Sequence, residues 1–133
     1  MKFKTKDVET RFPDMADLAQ RIAKEMDLYS QEKYGIELTI TATVSTRDED
    51  KTLDRASDTH RTRRAFDIRT GDLPDELVAE LCSVFRKKYG RFGAVTSALP
   101  SLIVYRPHGT GPHLHVQLSR KYALTEINYG KES

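Results

Sequence analysis

Residues Ile36–Ser45 read IELTITATVS, and the alternation in that run decides the fold class. Ile36, Leu38, Ile40, Ala42 and Val44 fall on one side of an extended chain, with Glu37, Thr39, Thr41, Thr43 and Ser45 on the other. Successive side chains of a β-strand point to opposite faces, so the run predicts a strand with an apolar and a polar face. Its β-branched residues favour that conformation. The apolar face needs a cover, while the polar face is either solvated or the floor of a cleft, and the pattern does not choose between them.

Helices on either side supply the cover. Met15, Leu18, Ile22, Met26 and Tyr29 recur at intervals of three and four, predicting a helix from near Pro13 to a break at Gly35. Residues 1–11 before it read as an extended polar lead-in. A second helix is predicted from Asp72 as N-cap, with Pro74 early in it and Gly90 as its stop. Leu77, Leu81, Val84, Phe85 and Tyr89 form its inner face, beside which Cys82 reads as a small buried hydrophobe. Thr46–Thr59 is charged and aperiodic, and reads as a loop. Leu102–Tyr105 (LIVY) and His113–Leu118 (HLHVQL) read as a hairpin around a loop at Pro107–Gly111. The expectation is a single α+β domain over residues 1–133: a small antiparallel sheet, two main helices packed on it, and a cleft on the open face.

Composition narrows the function classes. An apolar fraction of 38% and a charged fraction of 32% describe an ordinary water-soluble chain. No apolar run approaches the ~20 residues that span a bilayer. The N-terminus, MKFKTKDVETRF, has no apolar segment of a secretory signal, so synthesis in the cytoplasm is expected. The single cysteine allows no intrachain disulfide. A net charge of +2 is too small to argue for an anionic polymer as partner. Arg55, Arg61, Arg63, Arg64 and Arg69 cluster in sequence, but no recognition motif accompanies them, and nucleic acid is not an expected partner.

Three of the four histidines lie in two short stretches, Ser57–Asp67 (SDTHRTRRAFD) and Gly111–Val116 (GPHLHV). On a strand, His113, His115 and Gln117 share one side while Leu114, Val116 and Leu118 share the other, which is the side a core wants. Two imidazoles at strand period are either polar surface or a metal-binding pair. Asp67 sits between Phe66 and Ile68, and a carboxylate on the polar side of a buried strand needs a cation partner. That partner is either a metal shared with histidines or one of Arg61, Arg63, Arg64 and Arg69.

The order His60-RTRRAF-Asp67 followed far downstream by His113-Leu-His115 resembles the H-x6-D…H-x-H signature of the LAS metallopeptidases. That group unites lysostaphin-type enzymes, zinc D-Ala-D-Ala peptidases and the Hedgehog signalling domain. The first segment is most similar to the D-Ala-D-Ala peptidase motif S-x-H-x-x-G-x-A-x-D, matched at His60, Ala65 and Asp67. Ser57 stands one residue early, and Arg63 replaces the glycine.

The resemblance implies zinc held by His60, Asp67 and His115, with a hydrolytic water in the open position of the shell. It implies that His113, with His108 beside it, takes the catalytic proton, because no Glu or Asp lies between Ser97 and His115 to act as base. Arg47 resembles the arginine that binds substrate or the developing oxyanion. The implied activity is cleavage of a peptide or amide bond in peptidoglycan stem or cross-link peptides by a monomer, endolysin-like or of phage or prophage origin, acting on the cell wall. The alternative is a catalytically inactive zinc module of the same fold that binds wall peptide or a protein partner. Arg63 bears on the loop itself, since glycine there serves a backbone with positive φ.

Overall fold

A computed structural model describes residues 1–96, 99–107 and 111–130. The chain runs β1 (Lys2–Phe3), α1 (Lys6–Arg11), α2 (Asp17–Tyr34), β2 (Thr39–Ala42), α3 (Arg47–Thr52), β3 (Ala65–Arg69), α4 (Asp75–Tyr89), β4 (Ala94–Thr96), β5 (Leu99–Ser101), β6 (Ile103–Arg106) and β7 (His113–Gln117). Five strands form one sheet in the order β1-β2-β3-β7-β6, and β4-β5 form a separate small hairpin. The fold is α+β as expected, but the sheet is mixed: β1 joins β2 in parallel, while the other pairs are antiparallel. No helix among the described residues is long and apolar enough to cross a membrane.

One face of the sheet carries the core. Ile40, Phe66, Ile68, Leu114 and Val116 are essentially inaccessible there and pack with Ile22 and Met26 of α2 and Leu77 and Leu81 of α4. Gly35 ends α2 in the left-handed region at φ 66°, donating to Gln31 O, the conformation glycine adopts without a Cβ penalty. The hairpin of β6 and β7 is present, with its connecting residues 108–110 outside the described set.

Several boundaries differ from the sequence expectation, each for a local reason. The lead-in contains β1 and α1, the latter capped by Thr5. Pro13 falls in a short 3-10 turn, Phe12–Asp14, and the extended Met15 and Ala16 delay the long helix to Asp17. Pro74 caps α4 instead of Asp72, and Val84 is 36% exposed, not inward-facing. The expected loop Thr46–Thr59 holds α3, started by a capping box in which Thr46 and Glu49 satisfy each other's backbone N–H groups.

The strand expected over Ile36–Ser45 is regular only at Thr39–Ala42. Ile40 pairs with Ile68 but Ala42 with Asp67, so β2 uses two residues where β3 uses one. Beyond the bulge Ala42 pairs with Asp67 and is only half-buried, Val44 stays in the core, and Thr39, Thr43 and Ser45, expected on the polar side, are all buried.

Candidate metal centre

The face of the sheet opposite the core is polar at its middle. Asp67 on β3 and His115 on β7 are direct cross-strand partners, and both therefore face away from Phe66, Ile68, Leu114 and Val116. His60 arrives from the loop between α3 and β3. That loop is wound by Thr62 N–H to Asp58 O (2.9 Å), Arg63 N–H to His60 O (3.0 Å) and Arg64 N–H to Thr59 O (3.1 Å). The start of α2 holds it from outside, where Ala16 N–H donates to Arg63 O at 2.8 Å.

Arg63 has φ 70°, the left-handed conformation for which glycine is suited. The backbone thus takes the shape a glycine would favour, carried by a residue with a side chain. Its guanidinium makes use of the position, donating from Nε to Asp14 O (2.6 Å) and from Nη1 to Thr125 O (3.0 Å).

His60, Asp67 and His115 are all buried, and one potential ligand atom from each lies within 4.8 Å of the others. His60 Nε2 is 3.3 Å and His115 Nδ1 2.8 Å from the same Asp67 oxygen, Oδ1. The opposite nitrogens are committed elsewhere. His60 Nδ1 lies 2.7 Å from Thr43 O, an atom that only accepts, so Nδ1 carries the proton. Gln117 donates its Nε2 to Ser101 O at 3.0 Å, which turns its Oε1 toward His115 Nε2, also at 3.0 Å. Both His115 nitrogens thus face acceptors, Gln117 Oε1 and Asp67 Oδ1, and a neutral ring that gives Nδ1 to a metal carries its proton on Nε2.

In neutral rings these assignments leave lone pairs on His60 Nε2 and His115 Nδ1, both directed at a carboxylate. Three acceptors converging in a buried space need a positive partner, which is either a metal ion or a proton on a ring nitrogen facing Asp67, as the 2.8 Å His115 Nδ1–Asp67 contact allows. A metal ion satisfies this arrangement, and ligand histidines characteristically donate their other N–H to a carbonyl or carboxylate. Burial alone would push the Asp67 carboxyl up, but with the rings carrying protons toward it, positive charge at His60 and hydrogen bonds from His115 and His60 outweigh burial and hold the group well below the usual carboxylate range.

His113 lies at the edge of this cluster, about a quarter exposed, with Nε2 3.9 Å from Asp67 Oδ2. Its Nδ1 donates to Gly111 O at 2.9 Å, so its Nε2 is also an available base. Arg47 is not held at this cluster. It is the first residue of α3, 72% exposed, and it pairs with Glu126 at 2.7 Å. His108 lies outside the described residues. Of the candidate arginine partners for Asp67, Arg61 pairs with buried Asp50, Arg64 with Asp58, and Arg63 with backbone carbonyls.

Compared with known protein families, curated proteins and solved structures, the chain matches none of them. The fold and the site therefore stand on their own geometry: an α+β domain with a buried His-Asp-His group that could hold a metal ion. Sequence reasoning did not find Thr43 or Ser101, which act through backbone carbonyls and leave no residue-type signal. Gln117 had a signal, since it shares the strand face with His113 and His115.

Proposed function

We propose that the protein is a zinc-dependent hydrolase of a peptide or amide bond, with the short peptides of bacterial peptidoglycan as its substrate class. The observation that carries this reading is the convergence of one atom each of His60, Asp67 and His115 in a buried space, with each ring held by an acceptor on its far side. Two nitrogens and one carboxylate oxygen suit zinc with an open position. The substrate class comes from the motif resemblance, and the metal chemistry from the donor set.

His60, Asp67 and His115 would hold the ion, which supplies Lewis acidity toward an acyl oxygen and acidifies water. The remaining steps belong to the chain. The Asp67 carboxylate offsets charge in a buried site and fixes the spacing of the two rings. His113, anchored through Nδ1–H to the Gly111 carbonyl, presents Nε2 to accept the proton of the attacking water and return it to the leaving amine. Arg47 is engaged by Glu126, so a substrate carboxylate reaching it would exchange with that side chain.

A second reading, a zinc module that binds wall peptide or a protein partner without cleaving it, is favoured by that same Arg47–Glu126 pair. Incubation of the zinc-loaded protein with purified peptidoglycan, followed by mass analysis of released fragments, separates the two. New termini at one defined bond, lost in His113→Ala while zinc is retained, support the hydrolase. An intact sacculus with zinc bound supports the module.

A further inference from the structure

We propose that a cleft beside Gln117 is the subsite for an acidic segment of the peptide substrate, whose carboxylate is taken up by Arg120 and Lys121. This rests on the peptide-hydrolase reading and adds the chemical character of the peptide.

The cleft has a volume of about 770 Å³, within the range of small-ligand sites and roomy enough for a few residues of extended peptide. Thr59 and Gln117 are part of its wall. Both touch His115 Nε2, at 3.4 and 3.0 Å, so the cleft begins one side chain away from the metal-binding group. Along the face of β7 opposite the core the order is His113, His115, Gln117, and the cleft continues from Gln117 past Ser119 to Arg120 and Lys121. A peptide crossing the site would run into it.

Its charge is one-sided. Arg61, Arg64, Arg120 and Lys121 line it, against Asp58 as the one lining carboxylate among the described residues. Asp58 is fully engaged, taking Arg64 at 2.9 Å and Arg120 at 3.2 and 3.4 Å. Arg64 is satisfied by that contact and by Leu118 O. Two of the other three cations have donors to spare. Arg61 gives Nη1 to Asp50, and its Nε–H is buried toward Glu126 at 3.8 Å, so it adds positive charge to the wall but no free donor. Arg120 is 74% exposed on its long contact to Asp58. Lys121 has no ion pair among the described residues. Guanidinium groups pair well with carboxylates. The net charge of the chain is only +2, so this excess is local.

The test reads binding, independent of turnover. Fluorescein-labelled Ala-Glu-Ala-Glu-Ala, its glutamine counterpart and its phosphoserine counterpart are titrated with the zinc-loaded full chain by fluorescence anisotropy. The glutamate peptide should bind roughly tenfold tighter than the glutamine peptide, a preference weakened by added salt. The double variant Arg120→Gln/Lys121→Gln should lose the preference, and Lys87→Gln, which removes an exposed charge on α4, should keep it. Both sets are surface changes, with circular dichroism confirming the fold. Equal binding of the glutamate and glutamine peptides overturns the proposal, as does binding of the phosphoserine peptide alone. A protein that prefers the acidic peptide but leaves purified peptidoglycan intact upholds the cleft and sinks the hydrolase. Cleavage indifferent to the carboxylates does the reverse.

Discussion

Gln117→Met separates a metal site from a merely hydrogen-bonded cluster. Methionine keeps nearly the length and volume of glutamine but removes the acceptor for His115 Nε2 and the donor to Ser101 O, both now at 3.0 Å. His115 would then be free to move its proton to Nδ1 and hydrogen-bond Asp67 directly across the existing 2.8 Å. That tautomer has no lone pair for a metal on the Asp67 side. Loss of a partner that orients a ligand histidine lowers metal affinity by about 10–100-fold, or roughly 1.4–2.8 kcal/mol. Thr59 Oγ1, 3.4 Å from the same nitrogen, remains as a poorer acceptor. Gln117→Met alone should therefore fall about tenfold, and Gln117→Met/Thr59→Val toward ~100-fold. Competition for zinc with a chromogenic chelator at fixed pH measures this, and nitrogen NMR of the His115 ring reports the tautomer. Unchanged zinc affinity in the folded double variant would refute the assignment of the proton to Nε2.

Three further outcomes are expected. Arg63→Gly should be more stable than Arg63→Ala by about 1 kcal/mol, a gap of roughly 3–5 °C in Tm, because both lose the bonds to Asp14 O and Thr125 O but only alanine keeps a Cβ at φ 70°. Gly93→Ala should lose about 1–3 kcal/mol in urea unfolding, since its Cβ would lie 2.5 Å from Leu102 N and 2.7 Å from Leu102 Cα, backbone that cannot turn aside. Burial alone would raise the Asp58 carboxyl, but Arg120 and Arg64 outweigh it and hold it below its ordinary value. Its stabilising contribution is then complete above the unfolded carboxyl value of about 3.9 and is lost as pH falls further. Asp58→Asn should flatten the acid limb of a stability-against-pH curve between about pH 4 and pH 2; an unchanged limb would mean that the pair contributes nothing.

What could be read in advance follows from how far each determinant lies along the chain. The two faces of β7 were legible because alternation is a local property: Leu114 and Val116 are buried, and His113 and His115 lie opposite them. Asp67 was placed on the polar side for the same reason, whereas its pairing with His60 came only from the resemblance of His60-x6-Asp67 to a known metal-binding order. The bulge in β2 was not, because the apolar–polar alternation of Ile36–Ser45 runs through it unbroken while the pairing with β3 does not. Two- and three-residue strands such as β1, β4 and β5 are too short to show a period. The helix α3 did have a signal, the Thr46–Glu49 capping box, hidden in a run of charge. The partner of Arg47 lies 79 residues away, and no local pattern points to Glu126.

The site has one half tied to the core and one half tied to a loop. On β3 and β7 a slip of a single residue would send Asp67 and His115 inward and expose Phe66, Ile68, Leu114 and Val116. The burial that holds those four residues thus also holds the Asp67–His115 spacing, and this pair should persist as long as the domain is folded. His60 has no such guarantee. Its position depends on the Thr43 carbonyl that the bulge delivers, on a tight turn, and on Arg63 held in an unfavourable backbone state by contacts to Asp14 and Thr125. Metal affinity should therefore respond more to changes in the Asp58–Arg64 loop than to conservative changes in the core, and the first ligand lost on local opening should be His60.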